Sequence, residues 1–248
     1  MSAPLRMLVI GGTGYVGAAI CRQLSQAGHV VAFTYCKNEQ KAQALAEELK
    51  SSCYALDLGV IDSIAPTLKE ITARLGGLDA LVVASGRATA HQSEGLPIVP
   101  KWNEVNLDAF TRMLEVNVKG VFCVCQWAAS VMCLQKAGKI VLVGSIDGIK
   151  PVPSPVDYAC CKAALVGMVQ SLSKDLGPQG ILVNLIAPGI LEGGIAMLLS
   201  NELHAEYVKH CTLKRVGTAE DVARWTEFLV GSRNTYLTGQ TIIVDGGL

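Results

Sequence analysis

Along the 248 residues, short apolar runs rich in β-branched residues alternate with longer segments in which apolar positions recur every three or four residues. The runs at 7–10, 30–34, 80–84, 139–144, 182–187 and 241–244 predict strands, and the segments at 15–27, 39–50, 62–75, 107–135, 158–176 and 219–229 predict helices. The strand runs are unbroken rather than alternating, as expected of a parallel sheet covered by helices on both faces. Strand and helix in alternation imply right-handed crossovers. The expected fold is therefore α/β, a single Rossmann-type doubly wound parallel sheet, with residues 1–248 forming one domain. No linker, low-complexity tract or internal repeat divides the chain. Two stretches, 86–101 and 190–210, read as long loops after the carboxyl ends of strands, where ligands bind in such sheets.

Composition narrows the function. Half the residues are hydrophobic and 17% are charged, which excludes a disordered chain. Lys plus Arg is 21 and Asp plus Glu is 21, so neither nucleic acid nor anionic lipid is an expected partner. Residues 1–21 resemble a secretion leader at first sight, but four glycines break the apolar run and Ile20 is too bulky for a cleavage site, so a strand is expected there. Nowhere do eighteen apolar residues run together, so no membrane span is expected. The nine cysteines form no C-x-x-C pair, and neither they nor the four histidines show metal-ligand spacing. Most of the cysteines lie in apolar runs, so reduced thiols, a cytoplasmic location and no metal are expected. Trp102 and Trp127 are expected in the core or an interface.

Candidate chemistry begins directly after the first strand. Gly11-Gly12-Thr13-Gly14-Tyr15-Val16-Gly17 runs into a helix, and the glycines permit a tight turn and close backbone approach to a pyrophosphate. Free N–H groups at the helix start would hold the diphosphate, which points to a dinucleotide. The second strand ends at Thr34-Tyr35-Cys36-Lys37, with no acid to grip both ribose hydroxyls. Lys37 can meet a 2′-phosphate instead, which favours NADPH over NADH. Farther on, Tyr158 and Lys162 stand at i and i+4 on one helix face. Ser145 ends a strand 13 residues before Tyr158, and Asn117 lies in the preceding helical segment.

With these residues in view, the sequence resembles the short-chain dehydrogenase/reductase family over essentially its whole length. The resemblance rests on the glycine loop, Asp57-Leu58 at the place that follows the family's third strand, Asn117 in Val116–Gly120, Ser145, Tyr158 with Lys162, Asn184–Gly189 and Leu237–Gly247. Within the family it looks most like the β-ketoacyl-carrier-protein reductases and polyketide ketoreductases. The resemblance implies that Tyr158 is the proton donor, that Ser145 orients the substrate carbonyl, that Lys162 holds the nicotinamide ribose and lowers the tyrosine pKa, and that Asn117 seats a relay water. Asp57 and Leu58 would meet the adenine, and Pro188 and Gly189 the carboxamide. Ser85 and Gly86 would line the cofactor from the Val83-Ala84-Ser85-Gly86 stretch that replaces the family's N-N-A-G, an asparagine amide being absent. Two further departures are the G-x-x-G-x-x-G spacing and Gly193 where the family carries a hydroxyl residue.

The resemblance further implies a small-molecule or carrier-protein-bound ketone as substrate. Helices 107–135 and 158–176 are apolar around most of their circumference and, with the resemblance, imply a homotetramer. Lys136 and Lys139 stand where related enzymes attract an acidic carrier, with neutral Gln179 where a second basic residue would be expected, so weak steering is expected. Two other readings stay open here: an NAD-dependent secondary alcohol or sugar dehydrogenase, and a nucleotide-binding subunit with little turnover.

Overall fold

The structure is a computed structural model that describes residues 3–87, 92–93, 96–97, 102–194 and 201–248. Its frame is a seven-stranded parallel sheet in the order β3-β2-β1-β4-β7-β8-β9. The strands are β1 (Arg6–Ile10), β2 (Val30–Tyr35), β3 (Ser52–Ala55), β4 (Ala80–Val83), β7 (Gly138–Val143), β8 (Ile181–Pro188) and β9 (Thr241–Val244). A two-stranded hairpin, β5 (Gln92–Ser93) and β6 (Leu96–Pro97), lies apart from the sheet. Strand β3, absent from the six apolar runs, sits at the sheet edge, where its residues are only partly covered and carry no continuous hydrophobic signal.

Helices α1 (Tyr15–Gln26), α2 (Glu39–Leu49), α3 (Ile61–Leu75), α4 (Leu107–Leu114), α5 (Val121–Gln135), α6 (Val156–Leu176), α7 (Asn201–His210) and α8 (Ala219–Val230) complete the layers. The residues of β1 alternate between them: Leu8 and Ile10 pack with Ile64, Leu68, Val124 and Leu165, whereas Met7 and Val9 pack with Ile20, Leu24, Leu45 and Val222. Both faces of the central strands are thus dry, and each of these large side chains contributes about 1.5–3 kcal/mol relative to exposure.

The segment expected as one helix from 107 to 135 is α4 and α5 joined by a π-helical turn, Glu115–Gly120. Leu107–Gln135 is long and apolar enough by length and composition to cross a bilayer. Its Val121, Val124, Cys125, Ala128 and Met132 pack into the sheet's core, which makes it a covering helix of the α/β layers. The stretch expected as a loop over 190–210 carries α7 at its end, and residues 195–200 fall outside the described set. Of the 86–101 loop, residues 88–91, 94–95 and 98–101 also fall outside it. Trp102, expected in the core or an interface, is 80% exposed in this chain, while Trp127 packs against the core beside α5's neighbours. All nine cysteines are unpaired thiols.

Candidate active site

The glycine loop sits at the carboxyl end of β1, between β2 and β4. The Gly11 N–H donates to Thr34 Oγ1 at 3.1 Å and the Gly12 N–H to the Thr34 carbonyl at 2.8 Å, fixing the loop to the neighbouring strand. A Cβ on Gly17 would lie 2.1 Å from the Gly11 carbonyl oxygen, so the first turn of α1 can rest on the loop only because Gly17 has none. Gly14 precedes the helix without a side-chain cap, and the first turn carries no acid. The amides of Tyr15, Val16 and Gly17 therefore face the cleft with helix-dipole support, an anion-binding arrangement. Thr13 and Tyr15 flank it half-buried.

The other expected cofactor residues surround this loop. Tyr35 ends β2 and exposed Lys37 follows it. Asp57, exposed, is pinned by the Gly59 N–H at 2.9 Å, while Leu58 is buried beneath it. Ser85 packs so closely that a Cβ on Gly11 would meet it at 3.0 Å. Pro188 ends β8, and the Gly189 N–H donates to the Val244 carbonyl at 3.0 Å. Gly193 lies flat on the Tyr15 ring, leaving no room for the hydroxyl side chain that the family carries, and Tyr15 donates to Glu192 Oε1 at 3.2 Å. A cradle of main-chain amides that a Cβ would fill, at the ends of β1 and β4, together with a cation after β2, fits a dinucleotide with a 2′-phosphate.

Four elements bring the remaining residues together. Asn117 is 1% exposed in the π-helical turn; its amide donates to the Arg87 carbonyl and its oxygen accepts the Arg87 N–H, both at 2.8 Å. It thereby holds the chain leaving β4. A Cβ on Gly86 would stand 3.2 Å from Lys162 Nζ and 3.7 Å from Asn117 Oδ1, so these two side chains flank the same point. Ser145 follows β7 by two residues and caps the 3₁₀ turn Ile146–Gly148. That turn presses onto α6: a Cβ on Gly148 would lie 2.4 Å from the Ala163 nitrogen. The contact sets Ser145 over the start of α6, where Tyr158 packs with Met113 and Cys161. Asp157, in the first turn of α6, accepts the Tyr158 N–H at 2.9 Å and favours the helix start.

Lys162 is 5% exposed, donates to the Val143 carbonyl at 3.2 Å and lies 5.6 Å from the centre of the Tyr158 ring. Burial pushes the Lys162 ammonium down to about 8, against the pull of Asp147. The lowering of the tyrosine pKa that the resemblance assigns to Lys162 is outweighed in this structure. Burial raises the Tyr158 phenol above its ordinary value, the Asp147 charge adds to the rise, and the hydrogen bond with Ser145 opposes it. Asp147 was not singled out in the sequence; it becomes visible only where the 3₁₀ turn folds it back on Ser145, with Ser145 Oγ donating to Asp147 Oδ2 at 2.9 Å. Cys161 is buried and Cys160 exposed. Among the described residues no cluster of histidine, cysteine or carboxylate could hold a metal.

The sequence model of the family described as Enoyl-(Acyl carrier protein) reductase matches residues 14–248. A 3-oxoacyl-[acyl-carrier-protein] reductase of Staphylococcus aureus is 31% identical over 246 residues, covering 97% of this chain and 96% of that protein. Its namesake in Aquifex aeolicus is 33% identical over 247 residues, with 97% and 96% covered. Among solved structures, a short-chain dehydrogenase/reductase from Serratia marcescens superposes with a TM-score of 0.87 at 30% identity over 99% of both chains. A short-chain dehydrogenase from Burkholderia cenocepacia in complex with NADP gives 0.85 at 31% identity, covering 98% of this chain and 97% of that one.

Proposed function

The chain belongs to the short-chain dehydrogenase/reductase family of NAD(P)-dependent oxidoreductases, and we propose that within it the protein is an NADPH-dependent ketoreductase acting on a β-ketoacyl or polyketide-type thioester. The observation that carries the reading is the meeting of Tyr158, Lys162 and Asn117 beside the glycine loop: Lys162 Nζ lies 5.6 Å from the centre of the Tyr158 ring and flanks Gly86 together with Asn117, while burial raises the Tyr158 phenol. The 3-oxoacyl-[acyl-carrier-protein] reductases among its relatives support the substrate class. Lys37, the absence of an acid at Tyr35 and the NADP-bound neighbour support NADPH.

The amides of residues 15–17 would hold the diphosphate, with Gly11, Thr13 and Gly14 shaping the cradle. Tyr35 and Lys37 would meet the adenosine ribose and its 2′-phosphate, Asp57 and Leu58 the adenine. Ser85, Gly86, Pro188 and Gly189 would line the nicotinamide end. When bound, the reduced nicotinamide supplies the hydride. The chain's own part is proton delivery: Tyr158 gives its phenolic proton to the carbonyl oxygen as negative charge develops there, and Ser145 orients that oxygen by a hydrogen bond. Lys162 holds the ribose and, when charged, favours the phenolate left behind. Asn117, fixed to Arg87, keeps the floor of the site in place and would seat the water that returns a proton.

Groove geometry supports an oligomer, proposed as a homotetramer. A groove of about 690 Å³ runs between the π-helical turn and α6, lined by Leu114, Val118, Phe122, Met168 and Leu172. Of the two lysines expected to attract an acidic carrier, Lys136 donates to the neutral Gln179 at 2.5 Å and Lys139 to the Gly231 carbonyl, which draws both ammonium groups in against the protein. Steering by an acidic carrier would be weak. The reading is tested by supplying acetoacetyl thioesters, free and carrier-bound, with NADPH, against secondary alcohols and sugars with NAD. Reduction of the thioesters in preference to alcohol oxidation is the expected result.

A further inference from the structure

Asp147 takes no part in the chemistry just described, yet it is bonded to a residue that does. Ser145 Oγ donates to Asp147 Oδ2 at 2.9 Å, and the Asp147 N–H returns a longer bond to Ser145 Oγ at 3.3 Å. A hydroxyl has one proton, and while it points at the carboxylate it cannot point at a substrate oxygen. We infer that Asp147 is a positioning residue that competes with the substrate carbonyl for the Ser145 hydroxyl, so that its protonation state sets how much of Ser145 is available; this rests on the ketoreductase reading above.

The competition follows from acceptor strength. A carboxylate is a stronger acceptor than a neutral carbonyl, so ionised Asp147 retains the serine proton. Protonated Asp147 is a weaker acceptor, and its own O–H can be donated to Ser145 Oγ, which turns the serine proton toward the site. From α6, Lys162 and Tyr158 face Asp147. On its own segment, Lys150 is committed to Asp245 at 2.6 Å. Tyr207 and Cys211 direct their polar atoms to main-chain carbonyls of residues 245 and 246. Burial raises the Asp147 carboxyl from its ordinary value, with the Ser145 bond and the Lys162 charge opposing. The sign is then fixed: as pH falls through the Asp147 ionisation, Ser145 is released and carbonyl reduction rises; as pH climbs through it, reduction declines to a lower plateau.

Two measurements test this. In the first, carboxyl carbon NMR of the enzyme without cofactor follows Asp147, whose signal is assigned by its loss in Asp147→Asn. Ser145→Ala removes a bond to the charged form and should raise the Asp147 ionisation point; an unchanged titration overturns the coupling, whether or not any ketone is turned over. In the second, kcat/KM for NADPH-dependent reduction of ethyl acetoacetate is measured from acid to neutral pH. The wild type should show the descending limb and Asp147→Asn should lack it. Asp147→Val should gain about tenfold at neutral pH, the scale of one charge-assisted hydrogen bond, and this gain should vanish in a Ser145→Ala background. A limb that persists in Asp147→Asn, or an Asp147→Val effect of equal size with and without Ser145, overturns the inference. If every form, wild type included, leaves ethyl acetoacetate and acetoacetyl thioesters unreduced, the ketoreductase reading fails and the kinetic consequence drawn here fails with it, while the titration still decides the Asp147–Ser145 bond.

Discussion

Lys162 Nζ lies 5.6 Å from the centre of the Tyr158 ring, one helical turn along α6, and gives its resolved hydrogen bond to the Val143 carbonyl rather than to a carboxylate. A buried ammonium with no carboxylate in hydrogen-bond contact, drawing only on the nearby Asp147 charge, is costly to fold around, so its retention points to the site rather than to stability. Lys162→Met should therefore be as stable as the wild type or more so, while ketone reduction falls by about 10²-fold or more. The pH dependence carries the sign. The folded pKa of about 8 is below the ordinary 10.5, so between these values the unfolded chain binds more protons at this residue and the Lys162 contribution to wild-type stability rises with pH. Thermal melts of Lys162→Met across that window should lack this rise.

Cofactor choice depends on the end of β2. With exposed Lys37 after Tyr35 and no acid in place of Tyr35, kcat/KM for NADPH should exceed that for NADH at least tenfold, about 1.4 kcal/mol of discrimination. Lys37→Ala should narrow the gap, and a wild-type preference for NADH would contradict the assignment.

The phosphate cradle can be tested through Gly17. An alanine Cβ would stand 2.1 Å from the Gly11 carbonyl oxygen, so loop or helix must shift. Gly17→Ala should lose about 1–3 kcal/mol of stability, read as a Tm lowered by several degrees, and should weaken NADPH binding measured by fluorescence titration.

Assembly is tested at the groove beside α6. Phe122, 44% exposed in the single chain, stands with Leu114 on an apolar face that a second copy would cover. Phe122→Glu should shift sedimentation at micromolar concentration toward smaller species. A wild type that sediments only as a monomer would contradict the homotetramer.

Much of this architecture is legible in the sequence because a doubly covered sheet needs continuous apolar strands: β1, β4, β7 and β8 stand out as runs such as 7–10 and 182–187. Edge strand β3 escapes the same reading because Ser52–Ala55 is half in solvent. The π-helical turn escapes because its residues keep a helical pattern while the main chain changes its bonding. In the site, Tyr158 and Lys162 announce themselves by spacing along one helix, whereas the Tyr15–Glu192 bond joins residues 177 apart. Asp147 is two residues from Ser145, but nothing in a linear sequence says that a 3₁₀ turn will fold its carboxylate back on the serine. The raised Tyr158 pKa comes from burial by Met113 and Cys161, which only packing reveals.

If Tyr158 supplies the proton, turnover of an authentic ketone by Tyr158→Phe reports the loss of that proton. The substitution keeps the ring that packs on Met113 and Cys161 and removes only the hydroxyl. In Tyr158→Phe, kcat for NADPH-dependent reduction of an acetoacetyl thioester should fall by roughly 10²-fold or more with the NADPH dissociation constant nearly unchanged, while Ser145→Ala loses less. Near wild-type turnover by Tyr158→Phe would contradict it and leave the site as a nucleotide-binding cleft without the proposed chemistry.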